Sequence, residues 1–326
     1  MYDRMPHISP ALKSLAEWIR KSDKILVSMH CRPDGDAAGS AVAMGHILKS
    51  LGKTYTVFNV DDIPENFMFL NGAKDIVHEL TSYDYDLCLV LDCAEPNLLG
   101  KKFPHEHLKC PYAFVDHHSV PWTDCVVNLH DSKASAVGEL LFHLVNELNV
   151  ELTKDIAAAL YTSIITDTGS FRYTSTTADA MRVCSHLLAT DIDVWEIASY
   201  IYENNPVAKL KLLGLVLQTL WISEDGRLAC LHANRQMLKQ CKCSGAMTDG
   251  FINYARSISG VEVSIFLTQL ETELYRLSFR SRGNLDVSKI AAQFGGGGHK
   301  NAAACTLEGT VESIRARVEE ILKNIQ

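Results

Sequence analysis

What this chain lacks narrows it first. It has no surplus of cations: Lys+Arg 31 against Asp+Glu 39 leave a formal net charge of -8. Travel along duplex DNA depends on many phosphate-neutralising side chains, so long duplex DNA is not expected as a partner, while a small anionic substrate met by a few placed cations stays open. No run of 18 apolar residues occurs, and the start, MYDRMPHISPALKSLAEW, has neither the basic region nor the apolar core of a signal peptide. A membrane is therefore not an expected partner, and the cytoplasm is the expected location. The 10 cysteines include no CxxC. Without a second ligand pair, the lone CxC of Cys241 and Cys243 reads as ordinary thiols in a reducing compartment rather than as half of a structural zinc site. Low-complexity tracts and internal repeats are also missing, and 47% hydrophobic with 21% charged residues is an ordinary globular balance.

The length of 326 residues suggests two domains of about 150 residues each. Helical spacing over Ala11 to Arg20 leads into an apolar run, Lys24 to Met29, suited to a buried parallel strand. A helix over Ala37 to Leu48 stops before Gly52, and Thr54 to Asn59 reads as the next strand, which completes a βαβ unit. Asp86 to Asp92 and Tyr112 to Asp116 are two further apolar strands, each ending in an aspartate. Helices are predicted over Ala134 to Leu148, Thr153 to Ile165 and Thr177 to Ala189, and from Val194 to Trp221 with a break at Pro206. The texture then changes. Strands are predicted over Arg227 to Ala233, Val261 to Leu270 and Glu273 to Arg280, and helices near Met247 to Ser257, Asp286 to Gln293 and Val311 to Leu322. The expected fold is α/β: a larger domain, 1–192, with a mainly parallel sheet flanked by helices, a helical connector, 193–222, and a smaller α/β domain, 223–326.

Open parallel sheets bind ligands at the carboxyl ends of their strands, and the polar residues of this chain gather there. Ser28 to Ser40, SMHCRPDGDAAGS, places His30, Asp34 and Asp36 at the exit of the first strand. In an extended segment Asp34 and Asp36 would point the same way, and two carboxylates so close repel unless a cation lies between them. A DxD alone is more often a plain turn; His30 at the same exit shifts the balance toward a metal. Asp92 ends the LCLVLD strand, Asp116, His117 and His118 end the YAFV strand, and Asp167 follows an apolar helix whose dipole disfavours it without a compensating cation. His30, Asp34, Asp36, Asp92, His117 and Asp167 form an oxygen and nitrogen set without thiolate, which favours manganese or a similar ion. With one bridging carboxylate, six such ligands serve two metals, the arrangement that activates a bridging water and polarises a phosphoryl oxygen.

HCRPDGDAAGS, VLDCAEP, VDHH and SIITDTGSFRYTSTT resemble, in order, the four motifs of the DHH phosphoesterase superfamily. The resemblance implies that His30, Asp34 and Asp92 hold one manganese and Asp36, Asp92, His117 and Asp167 the other. Asp92 bridges them, Asp116 orients the histidines, and His118 contacts the scissile phosphate or protonates the leaving oxygen. Two Mn2+ are implied, with Mg2+ or Co2+ as substitutes. Farther on, FGGGGHKNAAAC after a helix is a glycine run whose N–H groups could cradle phosphate, and Arg280 and Arg282 in SFRSRG suit a phosphate or carboxylate grip. This stretch resembles the DHHA1 domain, with Ala304 where the usual small tail has glycine, and makes Arg280, Gly296, Gly297, Gly298 and His299 the candidate substrate-binding residues.

Length and domain order resemble the nanoRNase (oligoribonuclease)/pAp phosphatase group of that superfamily. The resemblance implies hydrolysis of very short RNAs and linear dinucleotides such as pApA and pGpG, the products of cyclic dinucleotide turnover, to mononucleotides, and also of 3′-phosphoadenosine 5′-phosphate (pAp) to AMP. Substrate length would be limited by the cleft between the two domains, and a homodimer is compatible with the sequence. A manganese-dependent inorganic pyrophosphatase shares the DHH motifs but is disfavoured by GGGGH. A RecJ-type single-strand exonuclease is disfavoured by the absence of extra domains and of a basic, aromatic-rich channel, and a non-catalytic nucleotide-binding regulator by the complete ligand set.

Overall fold

The computed structural model describes residues 7–283 and 285–324, with the side chains of His299 and Asn324 outside the described residues. The chain divides after Asn204 into two units.

The first unit is built on five parallel strands in the order β2-β1-β3-β4-β5. These are β1 (Lys24–Met29), β2 (Thr54–Phe58), β3 (Leu87–Leu91), β4 (Tyr112–Asp116) and β5 (Val127–His130). Helices α1 (Ser9–Lys21), α2 (Gly35–Ser50), α3 (Val137–Leu148), α4 (Lys154–Asp167), α5 (Ala178–Leu188) and α6 (Val194–Ala198) complete it. The central strands are apolar on both faces because both faces are covered. Ile25, Val27, Leu89, Leu91, Ala113 and Val115 pack into one large core with the helices. Leu26, Cys88, Val90 and Phe114 face a smaller core with Leu99, Phe103, Leu108 and Trp122. That second cover is made of loops and short 3-10 turns, so the helices lie on one face of the sheet only.

The strand order has a direct consequence for function. From β1 the chain moves outward through α2 to β2, then crosses back to β3 on the other side of β1. In doubly wound sheets of the order 2-1-3-4-5, the crevice at the β1/β3 reversal is where ligands bind. Here His30 leaves β1 and Asp92 leaves β3 at that point.

The second unit is a six-stranded mixed sheet in the order β10-β11-β9-β8-β7-β6, from β6 (Trp221–Ile222), β7 (Leu228–Ala233), β8 (Val263–Glu271), β9 (Leu274–Ser281), β10 (Gly297–His299) and β11 (Ala302–Glu308). Its helices are α7 (Val207–Leu217), α8 (Arg235–Cys241), α9 (Ile252–Arg256), α10 (Val287–Gln293) and α11 (Val311–Asn324). Only β7 and β8 run parallel; the other pairs are antiparallel. One face packs Ile265, Leu277, Phe279 and Cys305 against Ile290, Ile314 and Val318 of α10 and α11. The other packs Ala229, Leu231 and Phe266 against Leu212 and Val216 of α7 and Phe251 and Ala255 around α9. Thus α7, from the middle of the stretch read as a connector, carries core of the second unit.

The long apolar strands and periodic helices stand where the sequence predicts them. Four short elements escape it: β5, β6, β10 and α8. A fifth, β11, is hidden in NAAACTLE because alanine is poor in strands and signals nothing by itself. The expected helix at Met247 to Ser257 is a 3-10 turn at Gly245–Thr248 followed by α9.

Candidate metal centre

Asp34 and Asp36 do not sit side by side in an extended segment, which corrects the i, i+2 expectation. Asp34 is the N-cap of α2, its Oδ1 accepting from the backbone N–H groups of Asp36 at 3.0 Å and Ala37 at 3.1 Å. Asp36 already lies in the first helical turn, where the dipole favours a carboxylate. The two acids therefore diverge: Asp34 turns toward His30 and Asp36 toward His117.

His30 Nδ1 donates to the Cys31 carbonyl at 2.9 Å, which fixes the tautomer and leaves Nε2 3.7 Å from Asp34 Oδ1 and 3.5 Å from Asp92 Oδ2. His117 Nδ1 donates to the Ala134 carbonyl at 3.2 Å, and its Nε2 lies 3.5 Å from Asp36 Oδ2, 3.7 Å from Asp92 Oδ1 and 3.6 Å from Asp167 Oδ2. These gaps are too long for hydrogen bonds. Donors that share one cation at bonds near 2.1 Å lie about 3 to 4 Å apart, so each spacing suits an ion.

The site residues thus fall into two adjoining groups, His30 with Asp34 and Asp92, and Asp36 with His117 and Asp167, and Asp92 Oδ1 also faces His117 and His118. Asp92 contributes one oxygen toward each group. Its Oδ1 is buried without a hydrogen-bond partner, a costly state for a carboxylate unless a cation faces it. Its backbone has φ 51°, a left-handed conformation uncommon outside glycine that persists at functional sites when the surroundings enforce it. The donor set and the orphaned oxygen both fit divalent cations.

Electrostatics agree with a site built around positive charge. Burial, reinforced by Asp92 and Asp167, pushes the Asp36 carboxyl well above its usual range. Burial likewise raises Asp167 to about 6, with Asp92 and Asp34 adding to it and His117 opposing. Burial alone would lower both imidazoles, but the acids win: Asp36, Asp92 and Asp167 hold His117 at about 9, and Asp34 and Asp92 hold His30 at about 11. Without cations, protons on the two imidazoles neutralise part of the acid charge.

Asp116 is buried at the end of β4. Its Oδ1 accepts from the His117 backbone N–H at 2.9 Å and from His118 Nδ1 at 2.7 Å. Burial works against its ionisation, but His118 and His117 hold its carboxyl below the usual range. In return, the hydrogen bond to Asp116 raises the His118 pKa despite burial. With Nδ1 committed to Asp116, His118 acts on other groups through Nε2.

Asp36 is the candidate ligand with the most hydrogen bonds to its side chain. Its Oδ1 accepts from Ser40 Oγ at 3.0 Å and Ser163 Oγ at 2.6 Å, and its Oδ2 from the Val137 N–H at 2.9 Å. Sequence reasoning missed these partners, the Ala134 carbonyl and Glu139, whose carboxylate accepts from the Ser135 N–H at 2.9 Å and so braces the turn that carries Ala134. A serine one helical turn before Asp167 in YTSIITD is the one local signal for any of them.

The remaining candidates lie in the second unit. Arg280 stands on β9, half-buried, and donates from Nη1 to the Phe279 carbonyl at 3.0 Å. Arg282 lies past the strand's end. The glycine run is not a free loop. Gly297, Gly298 and His299 form β10 and pair with Ala304, Ala303 and Ala302, while the His299 side chain lies outside the described residues. A Cβ on Gly296 would meet the Ala304 carbonyl at 2.2 Å, and one on Gly298, at φ 146°, would meet the Ala302 carbonyl at 2.5 Å. Two of the four glycines are therefore required by β11 itself. Gly297 has nothing within 4 Å of a Cβ position.

An open parallel sheet with an acid and imidazole cluster at its reversal point is the arrangement of a metal-dependent α/β hydrolase, and that is the class. The family models for the DHH family, N-terminal domain, and for the DHHA1 domain match residues 24–164 and 236–324. A bifunctional oligoribonuclease and PAP phosphatase NrnA of Thermus thermophilus is 31% identical over 94% of this chain and 90% of its own length. The protein of the same name from Bacillus subtilis is 25% identical over 90% of this chain and 92% of its own. Among solved structures, an exopolyphosphatase-related protein from Bacteroides fragilis superimposes with a TM-score of 0.89 at 27% identity, covering 97% of this chain and 96% of that one. The chain belongs to the DHH family, with a DHHA1 domain, and is a phosphoesterase.

Proposed function

We propose that this protein is a manganese-dependent exoribonuclease that hydrolyses very short oligoribonucleotides and linear dinucleotides such as pApA and pGpG to mononucleotides, and 3′-phosphoadenosine 5′-phosphate to AMP. The observation that carries the reading is the paired cluster, in which His30 and His117 each face carboxylates at 3.5 to 3.7 Å with Asp92 common to both. The names of the Thermus thermophilus and Bacillus subtilis relatives, which match nearly the full chain, support the substrate class.

In this reading His30, Asp34 and Asp92 hold one cation, and Asp36, Asp92, His117 and Asp167 hold the other. When bound, the two ions activate water and polarise the phosphoryl oxygen. Everything else is the work of the chain's own groups. The Cys31 and Ala134 carbonyls accept from Nδ1 of each ligating imidazole and so turn Nε2 inward, where a cation would take the place of its proton. Asp116 holds His118 by Nδ1 and raises its pKa, so that a proton stays on Nε2 for the departing ribose oxygen. Arg280, Gly296, Gly297, Gly298 and His299 recognise the substrate's terminal phosphate or base, a few local contacts that an acidic chain of net charge -8 can supply to a short substrate but not to a long polyanion.

The test is to incubate the protein with Mn2+ and, in parallel, pyrophosphate, pApA, pAp and labelled RNAs of two to about twenty nucleotides. Mononucleotides released from only the shortest RNAs are the expected result. Orthophosphate from pyrophosphate alone would overturn the reading.

A further inference from the structure

We infer that Ser163 is a positioning residue of the metal centre: its hydroxyl, fixed where three helices meet, determines which oxygen of Asp36 is turned toward the group formed with His117 and Asp167. The inference rests on the proposed reading of that cluster as a metal centre.

Ser163 is fully buried on α4. A Cβ on Gly39 of α2 would meet the Ala159 carbonyl at 2.5 Å and the Ser163 backbone N at 2.9 Å, and a Cβ on Gly138 of α3 would meet Ser163 Oγ at 2.3 Å. Both neighbouring helices thus give up a side chain to pack against the turn of α4 that ends at Ser163. A serine hydroxyl has a single hydrogen. Because the Gly138 N–H donates into Ser163 Oγ at 2.8 Å, that hydrogen is left for Asp36 Oδ1, 2.6 Å away. Ser40 adds a second donor to the same oxygen at 3.0 Å.

A carboxylate oxygen carries about two acceptor sites, and on Oδ1 both are taken. Among the described residues Oδ2 accepts only from the Val137 N–H, and it points at His117 Nε2, 3.5 Å away. Oδ2 is therefore the oxygen offered to a cation. Asp167 follows Ser163 by four residues on the same helix, so the two share one face. A single turn of α4 supplies one ligand, Asp167, and clamps another, Asp36, and in this way sets the spacing between them. Ser40 cannot do this, because it lies on the same helix as Asp36.

The test is equilibrium binding of Mn2+ to the metal-free protein, by titration calorimetry or by paramagnetic resonance of the free ion, for the wild type, Ser163→Ala and Thr162→Ala. Thr162 is an equally buried hydroxyl on α4 that donates to the Ala158 carbonyl instead, so its variant controls for loss of a buried helical hydroxyl. The wild type should bind two ions per chain. Ser163→Ala should weaken one of them by roughly tenfold to a hundredfold, the usual cost of losing a ligand's outer partner, and leave the other unchanged. Thr162→Ala should lower Tm and leave both constants alone. Unchanged constants in a folded Ser163→Ala, or an equal loss in Thr162→Ala, would overturn the inference while the metal centre stands. A wild type that binds no Mn2+ would overturn the metal centre and the inference with it. Should Ser163→Ala not fold, Ser163→Cys, slightly larger, keeps a side chain at the site with a weaker donor; a smaller loss on the same ion supports the inference and no loss overturns it.

Discussion

The two sheets of this protein use polar residues in opposite ways. In the first unit, a sheet covered on both faces leaves its chemistry only the carboxyl ends of the strands, and there Asp36, Asp92 and Asp116 are buried. In the second unit the polar residues lie across one face of β9 and β11, where Arg276 and Thr306 are exposed and Ser278, Arg280 and Ala304 half-buried. A buried cluster can hold cations in fixed geometry where its side chains are braced, as His30, Asp34, Asp36 and His117 are by hydrogen bonds to the protein. A partly exposed face of polar side chains on an antiparallel sheet suits contact with a polar molecule that must also leave. On the proposed reading, ion binding and substrate recognition fall in environments of different dielectric, and that division can be attacked variant by variant.

The largest effect should come from the residue common to both halves of the cluster. Asp92→Ala should lose at least one ion per chain by metal analysis and lower kcat on pApA by about a thousandfold or more, because ion binding supplies several kcal/mol of transition-state stabilisation. Full occupancy by two ions in this variant would break the metal reading of the first unit.

Next comes a consequence of burying acids in that unit. Glu139 is fully buried, with Oε1 lacking a partner, and burial raises its pKa from 4.5 to about 7, with Asp179 and Asp131 adding to the shift and Ser135 opposing it. An acid whose folded pKa is raised holds its proton more tightly in the folded state, so stability falls as pH climbs from the unfolded value through the folded one. Glu139→Gln keeps an acceptor for the Ser135 N–H and removes that dependence. Between pH 5 and pH 8 its unfolding free energy should improve relative to wild type by on the order of 2 kcal/mol. Denaturant titrations at the two pH values check this, and parallel curves for the two proteins would refute it.

In the second unit the expected losses concern substrate. Arg280→Ala should raise KM for pApA by about tenfold to a hundredfold, the worth of a charge-assisted hydrogen bond, with Mn2+ content unchanged. Loss of metal in this variant would erase the proposed division of labour. The smallest effects separate the glycines. Gly298→Ala, at φ 146° and against the Ala302 carbonyl, should cost about 1 to 3 kcal/mol of stability. Gly297→Ala, with open space around its Cβ position, should leave Tm within a degree or so of wild type, as surface changes do. A higher KM in Gly297→Ala would mark that glycine as one a ligand approaches.

Much of the fold was legible because its long elements announce themselves locally. KILVSM, LCLVL and YAFVD are continuous apolar strands, and each meets a polar residue where it leaves the core. The elements that escaped were short or unbiased: β5 has four residues with alternating burial, and β11 opens on three alanines. The glycine run was legible only in part, for a related reason. Its entropic cost signals a close approach, but sequence cannot name what approaches, and β11 was the answer for Gly296 and Gly298.

By itself, then, the sequence determined that parallel strands carry acids and imidazoles to one edge, since strand length, apolar content and the position of an aspartate at a strand's end are properties of neighbouring residues. The tertiary structure alone decided how those side chains are held. It turned Asp34 into a cap and Asp36 toward His117, chose the His117 tautomer through the Ala134 carbonyl, and set Ser163 on Asp36 across 127 positions of chain. The physical reason is range. Burial patterns repeat every two or 3.6 residues and can be read along the chain, whereas a hydrogen bond that orients a ligand is made between whichever groups packing brings within about 3 Å.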